Sequence, residues 1–270
     1  MENEKFKLQR TLLVVLFVCN NRCKLCGVLS PYYEKPPHFT AEELCRTVSL
    51  YFNTVSYVEK FTLSGGEPFL HPELASVVRH LRKYERQFGK LEIITNGKLM
   101  MKSELERELV QLKKGQLLID DYGINTKQCR KLEEQAKAAG IEVNYRIYYG
   151  KNAHMGGWFD MGDFSKRDRS AEETENVFRE CGVTKKNHFG LFVVGTKGYV
   201  CFRSWRTMDT GLVSKEDCQD EYIDFASEES VEEKRKKIKG MQDREKAYGA
   251  CYFCWGQGQG LRRYPAGEQI

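Results

Sequence analysis

The sequence predicts an α/β protein in which a parallel sheet is wrapped by helices and followed by a smaller, cysteine-bearing part. Three observations carry this. Apolar runs of strand length alternate with helix-length amphipathic segments as far as residue 148. Such a β-α-β-α order implies parallel neighbours joined by right-handed crossovers. Near Gly150 the alternation stops, and residues 151–169 turn rich in Gly, Asp and aromatics with no clean period.

The elements follow in order. Leu12–Val18 is an apolar run that reads as a buried strand. Thr40-Ala-Glu-Glu43 is a capping box, in which hydroxyl and carboxylate each satisfy a free backbone N–H, and it opens a helix running towards Tyr51. Lys60–Leu63 is a short strand, and Pro72 starts a helix through about Phe88. Leu91–Thr95 is a strand, Lys102–Lys113 a helix, Gln116–Ile119 a strand and Thr126–Ala139 a helix that Gly140 ends. Glu142–Tyr148 is the next strand. Ser170-Ala-Glu-Glu173 caps a helix ending before Cys181. Leu191–Val194 and Tyr199–Phe202 flank Gly-Thr-Lys-Gly as a hairpin. Ser230–Lys246 is a charged helix, and the segment after Trp255 reads as loop, frayed at its end.

Composition narrows the classes. Of 270 residues 41% are hydrophobic, enough for a sizeable core, so a disordered chain is excluded. The net charge is only +5 and well mixed; the densest basic run, Lys234–Lys239, lies beside glutamates and reads as a solvated helix face, so no nucleic-acid partner is expected. No apolar run reaches the ~18–20 residues that cross a bilayer, and no signal-peptide core is present, so a cytoplasmic protein with no membrane partner is expected. In a reducing compartment, ten cysteines suggest metal or redox chemistry more than disulfides.

The sharpest motif is Cys19-Asn-Asn-Arg-Cys23-Lys-Leu-Cys26, directly after a strand, where a loop of an α/β barrel faces the active-site side. Three thiols cannot complete four-thiolate coordination of a 4Fe–4S cluster and would leave one iron open. A zinc site with a distant fourth ligand is the other reading. Gly65-Gly66-Glu67-Pro68 ends another strand; the glycines would let backbone approach a ligand and the carboxylate would bind an ammonium group. Thr95-Asn96-Gly97 follows the next strand.

With these residues in place, the chain resembles the radical SAM superfamily, whose Cys-x3-Cys-x2-Cys motif matches Cys19, Cys23 and Cys26 and whose Gly-Gly-Glu matches Gly65, Gly66 and Glu67. The resemblance covers roughly residues 10–150. It implies a partial (β/α)6 TIM-like barrel, and S-adenosylmethionine (SAM) chelated to the open iron through its amino and carboxylate groups. Many members carry an aromatic residue before the third cysteine; Leu25 stands there and would pack on adenine without stacking. Asn96, Asp120 and Asp121 are candidates for the SAM ribose, and Arg146 for the SAM carboxylate.

The C-terminal part holds Cys181, Cys201 and Cys251-Tyr-Phe-Cys254. This set resembles the short twitch auxiliary-cluster domain, a relative of the SPASM domain, and implies a second, fully ligated 4Fe–4S cluster; a structural four-cysteine zinc site is the alternative. The expected division is residues 1–165 for the barrel and 166–270 for the auxiliary domain. Cys45 and Cys129 read as buried thiols, leaving Cys218 as a spare thiol in a polar loop.

His154, Trp158, Asp160 and Asp163 lie in the Gly- and aromatic-rich joining segment and are candidate substrate contacts, as are Tyr122 and Arg203. The resemblance extends to small carbohydrate-modifying members such as the aminocyclitol dehydrogenase of butirosin biosynthesis. It implies an oxidoreductase that generates a 5′-deoxyadenosyl radical and dehydrogenates a small hydroxylated or amino substrate. The auxiliary cluster would take the electron, and an external donor such as flavodoxin or ferredoxin would reduce the first cluster. Epimerisation with Cys218 as hydrogen donor, and ribosomal-peptide maturation, are alternatives; the eighteen residues before Cys19 leave no room for a peptide-binding domain. A non-catalytic iron or zinc sensor or scaffold is the alternative from another class.

Overall fold

The computed structural model describes residues 6–183, 189–258 and 260–270. Five parallel strands follow one another across the sheet: β1 (Lys7–Leu16), β2 (Tyr57–Gly65), β3 (Phe88–Thr95), β4 (Gly115–Asp121) and β5 (Glu142–Ile147). Between them run α1 (Ala41–Thr54), α2 (Leu74–Leu81), α3 (Ser103–Gln111) and α4 (Thr126–Ala138). After α5 (Ala171–Glu180) the chain returns to the far side of β1. There β6 (Gly190–Val194) pairs with β1 in parallel, and β7 (Lys197–Tyr199) and β8 (Tyr222–Asp224) continue antiparallel. The result is one sheet in the order β5-β4-β3-β2-β1-β6-β7-β8, curved as a partial barrel and left open. Two more helices, α6 (Phe202–Asp209) and α7 (Val231–Gln242), pack on the second half.

The local signals explain most boundaries. Both expected capping boxes form, at Thr40 and Ser170, and a third is present at Ser230, each with the hydroxyl and carboxylate bonds. Gly140 ends α4 at φ 77°, where a side chain would be strained. The end of β1, Leu13–Leu16, is buried on both faces and reads as a continuous apolar run rather than an alternating one. Leu13 and Val15 join a core with α1 to α4, and Val14 joins a second core with Phe17, Phe192 and Trp205 under α6. Phe17 and Trp205 stack at 4.7 Å and 13°.

Several expectations change. The helix expected to reach Phe88 ends at Leu81, six residues of 3-10 helix follow, and the fully buried Phe88 opens β3 instead. The hairpin turns on two residues, Gly195-Thr196, since Val194 pairs with Lys197. Its second strand stops at Tyr199, because Cys201 caps α6 by accepting from the Ser204 N–H at 3.4 Å. The charged helix ends at Gln242 rather than Lys246. The segment read as a frayed loop is tied down by bridges between Trp158 and Tyr264 and between Cys23 and Gln269.

Candidate active site

The site is built on the C-terminal ends of β1 to β5. β2 leaves the sheet so close to β1 that Cβ atoms on Gly65 and Gly66 would stand 2.3 Å from the Leu16 carbonyl oxygen and 2.0 Å from that of Val18. The glycines therefore let two chains meet, and the N–H groups of Gly66 and Glu67 bond those same oxygens at 2.8 and 2.9 Å. Both glycines still line a cavity of about 370 Å³ together with Cys19, Cys23 and Cys26.

Glu67 takes a different place from the one expected. It is wholly buried, and its carboxylate accepts from Phe69 N (3.0 Å), Thr95 Oγ1 (2.8 Å) and Asn96 N (2.8 Å). It does not line the cavity. Burial outweighs those bonds and pushes its pKa up to about 7. The carboxylate thus ties the end of β3 to the turn that follows β2. Asn96 does reach the cavity, and its amide donates to Asn20 Oδ1 at 2.8 Å and lies 3.7 Å from Cys19 Sγ. Burial raises the Cys19 pKa to about 11 and raises that of Cys23.

The far wall comes from β4 and β5. Asp120 and Arg146 pair through two hydrogen bonds of 2.6 and 2.7 Å, and both line the cavity with Tyr122, Tyr148 and Trp158. The Arg146 guanidinium is therefore already engaged within the chain. Asp121 points elsewhere and accepts from Gly123 N, Thr126 Oγ1 and Tyr145 Oη, a purely structural set. His154 packs edge-on against Tyr148 at 5.4 Å and lines none of the three cavities described here.

A second cavity, about 440 Å³, adjoins the first through Leu25, Cys26, Phe159 and Met161, and adds Asp160, Asp163 and Arg203. Arg203 is 4% exposed; it donates to the carbonyls of Gly162 and Asp163, lies 4.0 Å over the Phe164 ring, and has no partner for Nε. Arg203 also lines a third cavity, of about 240 Å³, into which Cys181, Cys201, Cys251 and Cys254 all open. Burial lifts the Cys201 pKa to about 12 and raises those of Cys251 and Cys254. Arg169 fixes the Cys251–Cys254 turn by donating to both cysteine carbonyls, at 2.8 and 2.6 Å. Cys218 lies outside all three cavities, packed behind Gly249 and near Glu221, so the structure does not bring it to the site.

The family model of the radical SAM superfamily matches residues 13–128. Those residues are a radical SAM domain. The chain is 33% identical over 113 residues to a GTP 3′,8-cyclase of Rippkaea orientalis, a match covering 40% of this chain and 33% of that one. It is 34% identical over 129 residues to molybdenum cofactor biosynthesis protein 1 of Bos taurus, covering 46% and 18%. The chain thus matches a third or less of the length of these curated relatives. Among solved structures, BtrN in complex with AdoMet and 2-DOIA matches over 100% of both chains, at a TM-score of 0.54 and 15% identity, a likeness of fold.

The radical SAM domain implies SAM and a 4Fe–4S cluster, and Cys19, Cys23 and Cys26 are the residues that would hold the cluster. The arrangement fits: three thiols from one loop, near enough to feel one another's charge, line the same cavity. Among the described residues, no helix is long and apolar enough to cross a membrane. Sequence reasoning missed Met161, which lines all three cavities, and Tyr148. The Gly- and aromatic-rich composition of residues 151–169 was the available signal for Met161; the residues just after β5 held none for Tyr148.

Proposed function

We propose that this radical SAM protein is an oxidoreductase that dehydrogenates a small hydroxylated or amino substrate, and that Cys181, Cys201, Cys251 and Cys254 hold a second 4Fe–4S cluster as electron acceptor. One observation carries the reading: four cysteines from three separate stretches of chain open into one cavity, and that cavity adjoins the middle one through Phe202 and Arg203. Four thiolates close every iron of a cluster, which leaves electron transfer as its role.

When bound, the first cluster and SAM supply a 5′-deoxyadenosyl radical that removes a hydrogen atom. The chain's own residues do the positioning. The 370 Å³ cavity, with Asn96, Asp120 and Arg146, suits SAM. The 440 Å³ cavity, between Cys26 on one side and Arg203 on the other, suits the substrate, with Asp160 and Arg203 as its charged contacts. Once the hydrogen atom is gone, forming the C=O or C=N bond releases the O–H or N–H proton to solvent and a second electron, and the adjoining cysteine cavity is where that electron would go. A flavodoxin or ferredoxin would reduce the first cluster.

The test is metal content with product mass. Anaerobically reconstituted protein is expected to carry ~8 iron and ~8 sulfide per chain, and ~4 after Cys19, Cys23 and Cys26 are replaced by Ala. The product should be two hydrogens lighter, with deuterium from the target carbon in 5′-deoxyadenosine. Stoichiometric zinc at the four C-terminal cysteines, or an isomeric product carrying solvent deuterium, would overturn the reading. The relatives named GTP 3′,8-cyclase favour a second reading, a purine nucleotide as substrate. Consumption of GTP with 5′-deoxyadenosine formation would establish it.

A further inference from the structure

The cysteine loop is held from outside the barrel by residues 264–270. Trp158 and Tyr264 exchange backbone bonds of 2.9 and 2.8 Å, which fixes the start of this strap. Gly267, at φ +72°, crosses directly over Tyr122, where an added Cβ would come within 2.6 Å of the tyrosine Cβ. The strap then pairs antiparallel with the loop: Lys24 N donates to Glu268 O at 2.7 Å and Ile270 N to Arg22 O at 2.9 Å. At the centre of this pairing the Gln269 amide faces both ways. Its Oε1 accepts from Arg22 N at 2.8 Å, and its Nε2 donates to Cys23 Sγ at 3.2 Å. The Arg22 N–H can only donate, so the amide orientation is set: oxygen towards Arg22, nitrogen towards the sulfur. The Lys24–Glu268 ion pair at 3.5 Å is half exposed on both sides and adds little.

We propose that Gln269 is a positioning residue for the cluster loop, holding Cys23 in register through the strap and supplying an N–H to its sulfur. This rests on the reading of Cys19, Cys23 and Cys26 as cluster ligands. A hydrogen bond to a cluster thiolate spreads its negative charge and favours the reduced state, so it raises the reduction potential. The strap also takes up the loop's backbone N–H groups at Arg22 and Lys24, which ties down the segment between the cysteines.

Two substitutions separate the parts of this role. Gln269→Glu keeps an acceptor for Arg22 but turns an oxygen towards the sulfur; Gln269→Ala removes the donor without adding charge. In reconstituted full-length protein, the electron paramagnetic resonance signal that responds to SAM identifies the first cluster. Its redox titration is expected to shift down in both variants, by about tenfold in the oxidised-to-reduced ratio at fixed potential, ~59 mV for one electron. In iron-free protein, hydrogen exchange over residues 19–26 is expected to rise severalfold in Gln269→Ala. Wild-type potential together with wild-type exchange in both variants would overturn the proposal. A wild-type protein with no SAM-responsive signal would instead bring down the cluster reading and the redox half of the proposal, while the exchange result would still decide the holding of the loop.

Discussion

Asp120 and Arg146 stand opposite each other on neighbouring parallel strands and close a two-bond fork in the wall of the 370 Å³ cavity. Asp120 is 5% exposed, and burial raises its pKa even though the guanidinium pulls the other way. A bidentate pair of this kind fixes both side chains as a unit, and any carboxylate entering the cavity meets a cation already shared.

Removing one member should therefore cost more than removing both. Arg146→Ala leaves a buried carboxylate unpaired and is expected to destabilise the fold by about 3 kcal/mol. Adding Asp120→Asn should recover a large part of this. Urea denaturation of both single variants and the double variant measures the coupling, and additive losses would show that the pair is not a unit.

Glu67 makes a prediction about pH. Its folded pKa is raised from 4.5 to about 7 by burial. The folded state thus holds the proton more tightly than the unfolded chain. The stability tied to this group is complete below about pH 4.5 and is lost as pH rises towards 7, by on the order of 3 kcal/mol. Glu67→Gln cannot titrate. Its stability relative to wild type should improve across that window, read as the difference in Tm against pH. A flat difference would show an ordinary carboxylate.

Gly66→Ala should be among the most damaging small substitutions in the chain. The new methyl would sit 2.0 Å from the Val18 carbonyl oxygen, and that atom is backbone at the exit of β1. Relief requires moving the start of the cysteine loop. Loss of several kcal/mol of stability and poor iron retention are expected together, the first by denaturation and the second by iron assay after gel filtration. Normal values for both would contradict the close approach.

Arg169→Ala removes two charge-assisted bonds, to the carbonyls of Cys251 and Cys254. The turn carrying those cysteines should loosen, and iron beyond ~4 per chain should leave faster under a chelator, with the first four atoms retained. Equal loss from both sites would deny Arg169 a local role.

What the sequence made legible was local. The capping boxes at Thr40 and Ser170 involve partners three residues apart, and both formed. The cysteine triplet and paired glycines are short motifs, and their gathering around one cavity follows from two adjacent strand ends. Long-range facts were hidden. Gln269 meets Cys23 across 246 positions, and a polar residue in a Gly-rich segment gives no sign of it. Nor did the sequence show that Glu67 accepts from Phe69, Thr95 and Asn96 and so joins the ends of β2 and β3. Helix α6 escaped notice because its cap is a cysteine, outside the Ser, Thr, Asp and Asn set that marks helix starts.

The seat of β6 beside β1 also bears on how the protein is made. Of the two sheet neighbours of β1, one is encoded far downstream, at residues 190–194. At ~5–20 residues per second, translation takes roughly 10–40 s to supply it. Through that interval the apolar Leu12–Leu16 offers a bare hydrogen-bonding margin to any other chain nearby. The nascent protein is thus most vulnerable to misassembly at the strand that will carry its cysteine loop, and slower initiation or a chaperone holding that strand should raise the yield of folded chain more than any change to its C-terminal half.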